Sequence, residues 1–262
     1  MTGLLPIATG KATRIVQTLL PAGKEYVCVM HIHKEVTEED IRKAVESFIG
    51  EIDQLPPIKS AVKRQWRKRN IYYINIIEID GQDVLFRVGC EAGTYIRKLC
   101  DDFGKKLETG AHMAELVRTK VGPFSYETMI TLQDLKDAYE VWKESGDEKE
   151  IRKIIQPMEA AISHLPKIWI FDTTVDSMSH GADLSVPGIS KLESGINHGD
   201  LVAVMTLKDE LVCLGEAVMN SQNIHLQKKG IAVKARKVFY ERGVYPKFVR
   251  NVPDASQKSD TE

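Results

Sequence analysis

The chain has almost no net charge: 36 Lys and Arg stand against 37 Asp and Glu, a formal charge of −1 over 262 residues. Bulk charge therefore announces no nucleic acid. Cysteine is scarce, four in all. Cys28, Cys90, Cys100 and Cys213 are scattered in apolar surroundings without metal-ligand spacing, and read as buried free thiols in a reducing cytoplasm. Long hydrophobic runs are missing. No stretch approaches the roughly 18 apolar residues of a membrane helix, and no basic-then-apolar leader is seen. Leu4 to Leu20 is broken by Gly10, Lys11 and Arg14. There are no internal repeats. What is left is a chain long enough for two domains with cores of their own.

The charges that are present are unevenly placed. Lys59, Lys63, Arg64, Arg67, Lys68 and Arg69 crowd one short stretch around Trp66. Lys228, Lys229, Lys234, Arg236, Lys237, Arg242, Lys247 and Arg250 form a second basic zone, and acidic residues gather between Glu140 and Glu150. A single basic run reads equally well as a solvated face. Two such zones with an aromatic among them favour RNA, whose phosphates are held by Lys and Arg.

Apolar spacing gives an outline of the elements. Val27–Ile32 reads as a strand. Thr37 caps a helix with Asp40 reaching back as an imperfect capping box; Ile41, Val45, Phe48 and Ile49 form its buried stripe and Gly50 stops it. Leu55-Pro56-Pro57 forces an extended loop. Ile71–Ile79 and Val84–Cys90 form a hairpin about Asp80-Gly81, a helix runs over 95–107, and Met113–Val121 is a strand ended by Gly122-Pro123. Thr131 begins a helical stretch through Tyr139 and Trp142. Beyond a boundary near Leu165-Pro166 the texture turns to short strands separated by glycine: Ile168–Phe171, Gly181-Ala182, Val186-Pro187-Gly188, Gly199–Val204, Leu211–Met219 and Ile231–Lys234. That is the length of a small β-barrel. The polar, charged residues from Asn251 predict a disordered tail over 251–262.

The most informative run is Gly93-Thr94-Tyr95-Ile96-Arg97 and the residues after it. Gly93 turns the chain, and Thr94 is placed to cap a helix whose apolar face is Ile96, Leu99, Cys100, Phe103 and Leu107. Arg97 then falls in the first helical turn, where partial positive charge already disfavours a cation. An anion nearby, carboxylate or phosphate, is the reading that explains it; a surface arginine with a local ion pair is the plainer alternative.

Gly-Thr-Tyr-Ile-Arg with a following Asp and Gly resembles the arginine motif of the TruB/dyskerin family of pseudouridine synthases. Thr2-Gly3-Leu4-Leu5-Pro6-Ile7-Ala8 resembles the second half of that family's catalytic motif, and Gly23-Lys24-Glu25-Tyr26 the segment with its active-site tyrosine. Pro56-Pro57-Ile58-Lys59-Ser60-Ala61-Val62-Lys63-Arg64 is closest to the dyskerin-like, archaeal and eukaryotic branch. The resemblance runs from Thr2 to about Tyr240. It implies an α+β fold: a pseudouridine synthase catalytic domain over 1–163, with a mixed, mainly antiparallel sheet and flanking helices, then a small β-barrel PUA RNA-binding domain over 166–241.

The resemblance also implies a chemistry. The N1–C1′ bond of uridine breaks, the base turns, and it reattaches through C5, with no cofactor and no metal. The family's nucleophile is an aspartate in His-Gly-Gly-Thr-Leu-Asp-Pro. In this sequence that aspartate would lie before Met1, so the catalytic domain is expected to be incomplete at its N-terminus. A misplaced start, with a GTG valine codon read as initiator at Met1, is one explanation; a truly shortened, inactive protein is the other. The first aspartate present, Asp40, matches no catalytic position, and Asp101 and Asp102 look structural.

By the same resemblance Arg97 pairs with the nucleophile, Tyr26 stacks on the target uracil and helps the late proton transfer, and Leu116 lines the pocket. Taken alone, Tyr26 reads equally as a half-buried strand tyrosine and Leu116 as core. Lys24, Lys63, Arg64 and Arg67 are candidates for RNA backbone contact; Gly181, Lys229 and Gly230 are candidates on the PUA surface. After Leu116 the family shows Arg-Arg-Thr-Arg, whereas this chain has Val117-Arg118-Thr119-Lys120. The implied activity is isomerisation of uridine in the T-loop of tRNA or, as catalytic subunit of a box H/ACA ribonucleoprotein, in rRNA. The implied partners are tRNA, rRNA, guide RNA and the small core proteins of that particle. A catalytically inactive RNA-binding scaffold is the competing function.

Overall fold

The structure is a computed structural model that describes residues 2–57 and 63–246. Lys59 of the first basic run, Lys247 and Arg250 of the second, and the tail expected to be disordered over 251–262 lie outside the described residues. The chain divides into two compact units, Met1–Ala161 and Ile162–Glu262.

The first unit is built on one sheet. Its elements are β1 (Thr2–Gly3), α1 (Val16–Leu19), β2 (Lys24–Ile32), α2 (Glu38–Glu46), β3 (Gly50–Gln54), β4 (Arg67–Asp80), β5 (Asp83–Cys90), α3 (Ile96–Lys106), β6 (Ala111–Val121), β7 (Phe124–Ser125), α4 (Leu132–Ser145) and α5 (Lys149–Ile154). The strand order is β1-β6-β2-β5-β4-β3, with β7 on β6. Only β1 runs parallel to its neighbour. The sheet is thus mixed and mainly antiparallel.

Alternation explains which face is covered. Cys28, Met30 and Ile32 of β2 and Val84, Phe86, Val88 and Cys90 of β5 are buried, and they meet Ile41 and Val45 of α2 and Ile96, Leu99, Cys100 and Phe103 of α3 in one core. Phe103 contacts Phe86 and Phe48 edge to face, at ring separations of 5.9 and 4.6 Å. Thr37 caps α2 as expected: its hydroxyl accepts from Asp40 N and donates to the Asp40 carboxylate. Thr131 caps α4 with a full capping box formed with Asp134.

Three local expectations are corrected. Ile49 lies past the end of α2 and is exposed rather than part of its stripe. Gly50 opens a strand, β3, that pairs with β4, because Gly50, with a φ of +102°, turns the chain back onto that edge. Tyr95, not Thr94, is the N-cap of α3, because the Thr94 hydroxyl is spent on closing the preceding turn through Glu91 O at 2.7 Å.

The second unit contains β8 (Lys167–Ile170), α6 (Asp172–Ser179), β9 (Leu184–Ser185), β10 (Ile189–Leu192), β11 (Leu201–Met205), β12 (Leu211–Ala217), α7 (Ser221–Leu226) and β13 (Ile231–Val238). Its sheet order is β10-β8-β11-β12-β13-β9, around a core of Ile168, Ile170, Met178, Val202, Val204, Val212 and Val233 among others. Gly181-Ala182 is a turn and Val186-Pro187-Gly188 a 3-10 turn, not strands; α6 and α7 fill spans where glycine punctuation predicts only loops and strands.

Candidate active site

Tyr26 sits on β2 with Val88 of β5 on one side and Arg118 of β6 on the other. Two residues along, Cys28 pairs with Leu116. Side chains two apart on a strand share a face, so Tyr26, Cys28, Leu116 and Arg118 all look toward α3, and Tyr26 and Leu116 pack on the edge of the core.

The Cys28 and Cys100 sulfurs are 3.8 Å apart, which seats α3 on β2. β5 ends at Cys90, opposite Lys24, and α3 begins a few residues later. The helix therefore runs in the same direction as β2. Arg97 precedes Cys100 by about 4.5 Å of helix, and Tyr26 precedes Cys28 by about 6.6 Å of strand. Arg97 and Tyr26 thus lie on the same side of the sulfur contact, at one end of the sheet.

Arg97 is exposed, and among the described residues no hydrogen bond or ion pair holds it. The cations beside it are engaged. Lys98 donates to Asp101 and Asp102 at 2.7 and 2.5 Å, and Lys105 donates to Asp101 at 2.7 Å. Burial works against the Lys98 charge, and the bonds to Asp101 and Asp102 outweigh it, so its pKa is raised. Asp101 and Asp102 are thereby structural. Burial pushes the Tyr26 phenol up, with Cys90 adding to the effect and Arg118 opposing it. Tyr26 is held neutral, a hydroxyl donor on a flat apolar ring.

The N-terminal turn of α3 is fixed by a residue that the sequence did not single out. Gln54, at the end of β3, is buried at 2% exposure. Its side-chain oxygen accepts from Tyr95 N at 3.0 Å and its amide donates to Tyr95 O at 3.3 Å. Arg118 is a second such residue. Leu4 N donates to Arg118 O at 2.9 Å, and Arg118 Nε donates to Leu4 O at 2.7 Å, so both ends of Arg118 grip the segment after β1. Gly3 makes this approach possible: its φ is +98°, and a Cβ there would lie 2.3 Å from Arg118 O. Because β1 is parallel to β6, with Thr2 opposite Val117, its upstream end points toward Leu116.

The RNA-contact candidates separate into groups. Lys24 is committed elsewhere: its ammonium donates to Leu19 O, Leu20 O and Ala22 O at 3.2, 2.7 and 2.8 Å, closing the end of α1. Those three carbonyls engage all three of its protons. Lys63 and Arg64 are exposed. Arg67 is opposite Gln54, and its Nε is shielded from solvent without a hydrogen-bond partner. Arg69, two residues on, lies against Gly93 and 3.5 Å from Glu91, so the β4 arginines flank the loop that leads to Arg97.

In the second unit, Lys229 is exposed. Gly181 follows α6, whereas Gly230 O accepts from Val186 N beyond the other end of β9. Both have positive φ, +91° and +122°, which accounts for glycine at each. Nothing local marks Gln54 in the sequence, since its role depends on a residue 41 positions away.

A mixed sheet with a tyrosine and a helix-start arginine at one end, followed by a β-rich unit, is the architecture of a pseudouridine synthase with a PUA domain. Comparison with known families agrees. Residues 1–96 match the TruB family pseudouridylate synthase N-terminal domain, 97–163 the tRNA pseudouridylate synthase B C-terminal domain, and 166–239 the PUA domain. The chain belongs to the TruB family of pseudouridylate synthases. It is 60% identical over 248 residues to a probable tRNA pseudouridine synthase B of Pyrococcus abyssi, covering 94% of this chain and 74% of that protein. It is 57% identical over 247 residues to the probable tRNA pseudouridine synthase B of Methanopyrus kandleri, covering 94% and 73%. Among solved structures, a chain of a Cbf5-Nop10-Gar1 complex is 60% identical with a TM-score of 0.89, over 94% of this chain and 75% of that one. A chain of an H/ACA RNP bound to a substrate RNA containing 2′-deoxyuridine is 57% identical with a TM-score of 0.87, over 94% and 74%. No helix among the described residues is long and apolar enough to cross a membrane.

Proposed function

We propose that this chain is the uracil-handling and RNA-binding body of a pseudouridine synthase, acting on the T-loop of tRNA and, as catalytic subunit of a box H/ACA particle, on rRNA. The observation that carries the reading is the sulfur contact of Cys28 and Cys100, which sets Arg97 and Tyr26 on the same side of it, with Leu116 opposite Cys28. Arg97 has no partner among the described residues, as a guanidinium reserved for an anion would not. It holds the nucleophilic carboxylate ionised and aimed, since an opposite charge favours the charged form. Tyr26 offers a ring face to the flipped uracil and a neutral hydroxyl near it; Leu116 bounds the pocket. Unstacking the target base costs a few kcal/mol and is offset by that stacking.

Lys63, Arg64 and Arg67 contact the RNA backbone near this end, and Gly181, Lys229 and Gly230 belong to the RNA-facing surface of the PUA domain over 166–241. Partners are tRNA, rRNA, guide RNA and small particle proteins of the kind seen with the relatives, Nop10 and Gar1. A cytoplasmic site of action fits four free, buried cysteines.

The resemblance aligns the family's aspartate upstream of Thr2, so the test uses two proteins: the chain itself, and the chain preceded by the motif segment ending in Leu-Asp-Pro. Both are assayed for guide-RNA binding and for pseudouridine formation with all partners added. The expected result is salt-sensitive RNA binding by both and product from the extended protein only. In that protein Arg97→Ala lowers the rate by about 100-fold or more. RNA binding by both with product from neither makes the inactive scaffold the correct function. Binding by neither overturns both readings.

A further inference from the structure

Next to Tyr26, on the opposite face of the sheet, is a polar cluster that the proposed reaction does not use. Its centre is Glu25, a carboxylate only 5% exposed. Hydroxyls from strands on either side take its two oxygens. Tyr73 of β4 donates to Oε2, and Thr119 of β6 donates to Oε1 at 2.8 Å. Tyr73 reaches Glu25 across β5 because the residue opposite both is Gly89: a Cβ there would lie 2.4 Å from the Tyr73 ring. Lys120 Nζ is 3.9 Å from the same carboxylate. Burial works against this charge. The bonds from Tyr73 and Thr119, with Lys120 and Arg87 nearby, outweigh it, so Glu25 is ionised at neutral pH.

The cluster sits on a break in strand register. Glu25 is opposite Lys120, but Tyr26 is opposite Arg118. Thr119 is therefore an extra residue on β6, a β-bulge whose Thr119 and Lys120 side chains both reach toward Glu25. A second break follows. Val29 is opposite Glu115 and Met30 opposite Met113, with Ala114 left over. Only the four residues from Glu115 to Arg118 lie between the two bulges, and they include Leu116 and Arg118.

That offset decides what stands beside Tyr26. A slip of one residue exchanges the two faces of a strand. In a regular ladder continued from Glu25 and Lys120, Thr119 and Val117 would share the Tyr26 face, and Leu116 and Arg118 would turn away. With the bulge, Leu116 and Arg118 take the Tyr26 face, and Arg118 Nε donates to Leu4 O. We infer that Glu25 is a positioning residue for the reaction: bonded to Thr119, its carboxylate fixes the bulge that turns Leu116 and Arg118 toward Tyr26. The inference rests on the function proposed above. A bulge next to an active site is a common means of re-aiming a side chain. A bond to an ionised acceptor holds it more firmly than a bond between neutral groups.

The two hydroxyls on Glu25 differ in what they control. Thr119 is the bulge residue itself, on the strand that carries Leu116 and Arg118. Tyr73 ties Glu25 to β4, which does not pair with β6. Losing either hydroxyl removes one bond to the same buried acceptor. A role in stability alone predicts similar losses from both. Positioning predicts that only the loss at Thr119 reaches the chemistry.

The test uses steady-state kinetics of the extended protein with all partners, and hydrogen exchange of the chain itself. Thr119→Val removes the hydroxyl at nearly constant shape. Its kcat is expected to fall about 10- to 100-fold with KM changed by less than about threefold. Tyr73→Phe stays within about threefold of the parent in both. Glu25→Ala follows Thr119→Val. Glu25→Gln, whose side-chain oxygen still accepts from Thr119, recovers most of the rate. In the chain itself the Leu4 amide, which donates to Arg118 O, exchanges faster in Thr119→Val than in Tyr73→Phe. Equal changes of rate in these two variants, or unchanged Leu4 exchange in Thr119→Val, overturn the assignment. An extended parent that forms no product overturns the proposed function instead, and Leu4 exchange then decides alone whether Glu25 holds the bulge. Circular dichroism of each variant checks that folding is kept.

Discussion

The Cys28 sulfur on β2 and the Cys100 sulfur on α3 are 3.8 Å apart with both residues buried, and this contact sets how far Arg97 stands from Tyr26. Enlarging it should separate function from binding. Cys100→Leu overfills the contact at a cost of about 1–3 kcal/mol and lifts the start of α3 from β2. In the extended protein, pseudouridine formation is expected to fall further than RNA affinity. Equal losses in both would show that the helix seat does not position the arginine.

Gln54 tests the other anchor of that helix. Gln54→Ala leaves the Tyr95 amide without its partner beneath the surface, a loss of about 1–3 kcal/mol. Hydrogen exchange at Tyr95 should accelerate, while amides in the middle of β2 keep their protection relative to global stability.

Gly3→Ala addresses the segment after β1. A Cβ at this position meets the Arg118 carbonyl at 2.3 Å, with φ at +98°. The left-handed backbone alone costs about 1–2 kcal/mol. The Leu4 amide, bonded to Arg118 O in the parent, is expected to lose protection, and the extended enzyme its activity. An unchanged Leu4 exchange rate would contradict the pairing.

Glu25 gives an acid-side prediction. Burial pushes its carboxyl up, but hydrogen bonds from Tyr73 and Thr119, with Lys120 and Arg87 nearby, outweigh it and hold the pKa below 4.5. The unfolded chain then takes up the proton first as pH falls. This stabilisation is fully present above about 4.5 and disappears as pH drops through the folded-state value. Glu25→Gln should therefore show a shallower loss of denaturation free energy below pH 4.5 than the parent.

Cys90 gives the alkaline counterpart. Burial raises its thiol from 9.0 to about 11. Above pH 9 the unfolded chain releases this proton and the folded chain keeps it, so stability falls by about 1.4 kcal/mol per pH unit until about pH 11. Cys90→Ala should flatten the stability profile over that window. Native alkylation at neutral pH should be slow at this residue, since the thiolate is the reactive form.

Local rules were enough for much of the framework. The alternation of Val84, Phe86, Val88 and Cys90 and the 3.6-residue stripe of Ile96, Leu99, Cys100 and Phe103 identify a strand and a helix without reference to anything distant. Thr37 and Thr131 mark helix starts because their partners are three residues away. By contrast, β3 has one large apolar side chain, Ile52, and is a strand because β4 pairs with it. The short helices α6 and α7 likewise follow from packing against a core that no short window contains.

The sequence by itself determined the elements with local signatures, among them β5 and α3, the order of the two domains, and the family-like segments with Tyr26, Arg97 and Leu116. Tertiary structure alone decided that Gln54 holds Tyr95, that Arg118 grips Leu4, and that Lys24 bonds the carbonyls at the end of α1. The reason is physical. Propensity, periodicity and capping act over a few residues and can be read locally, whereas hydrogen-bond partners 41 and 114 positions apart are chosen only when the sheet sets its register.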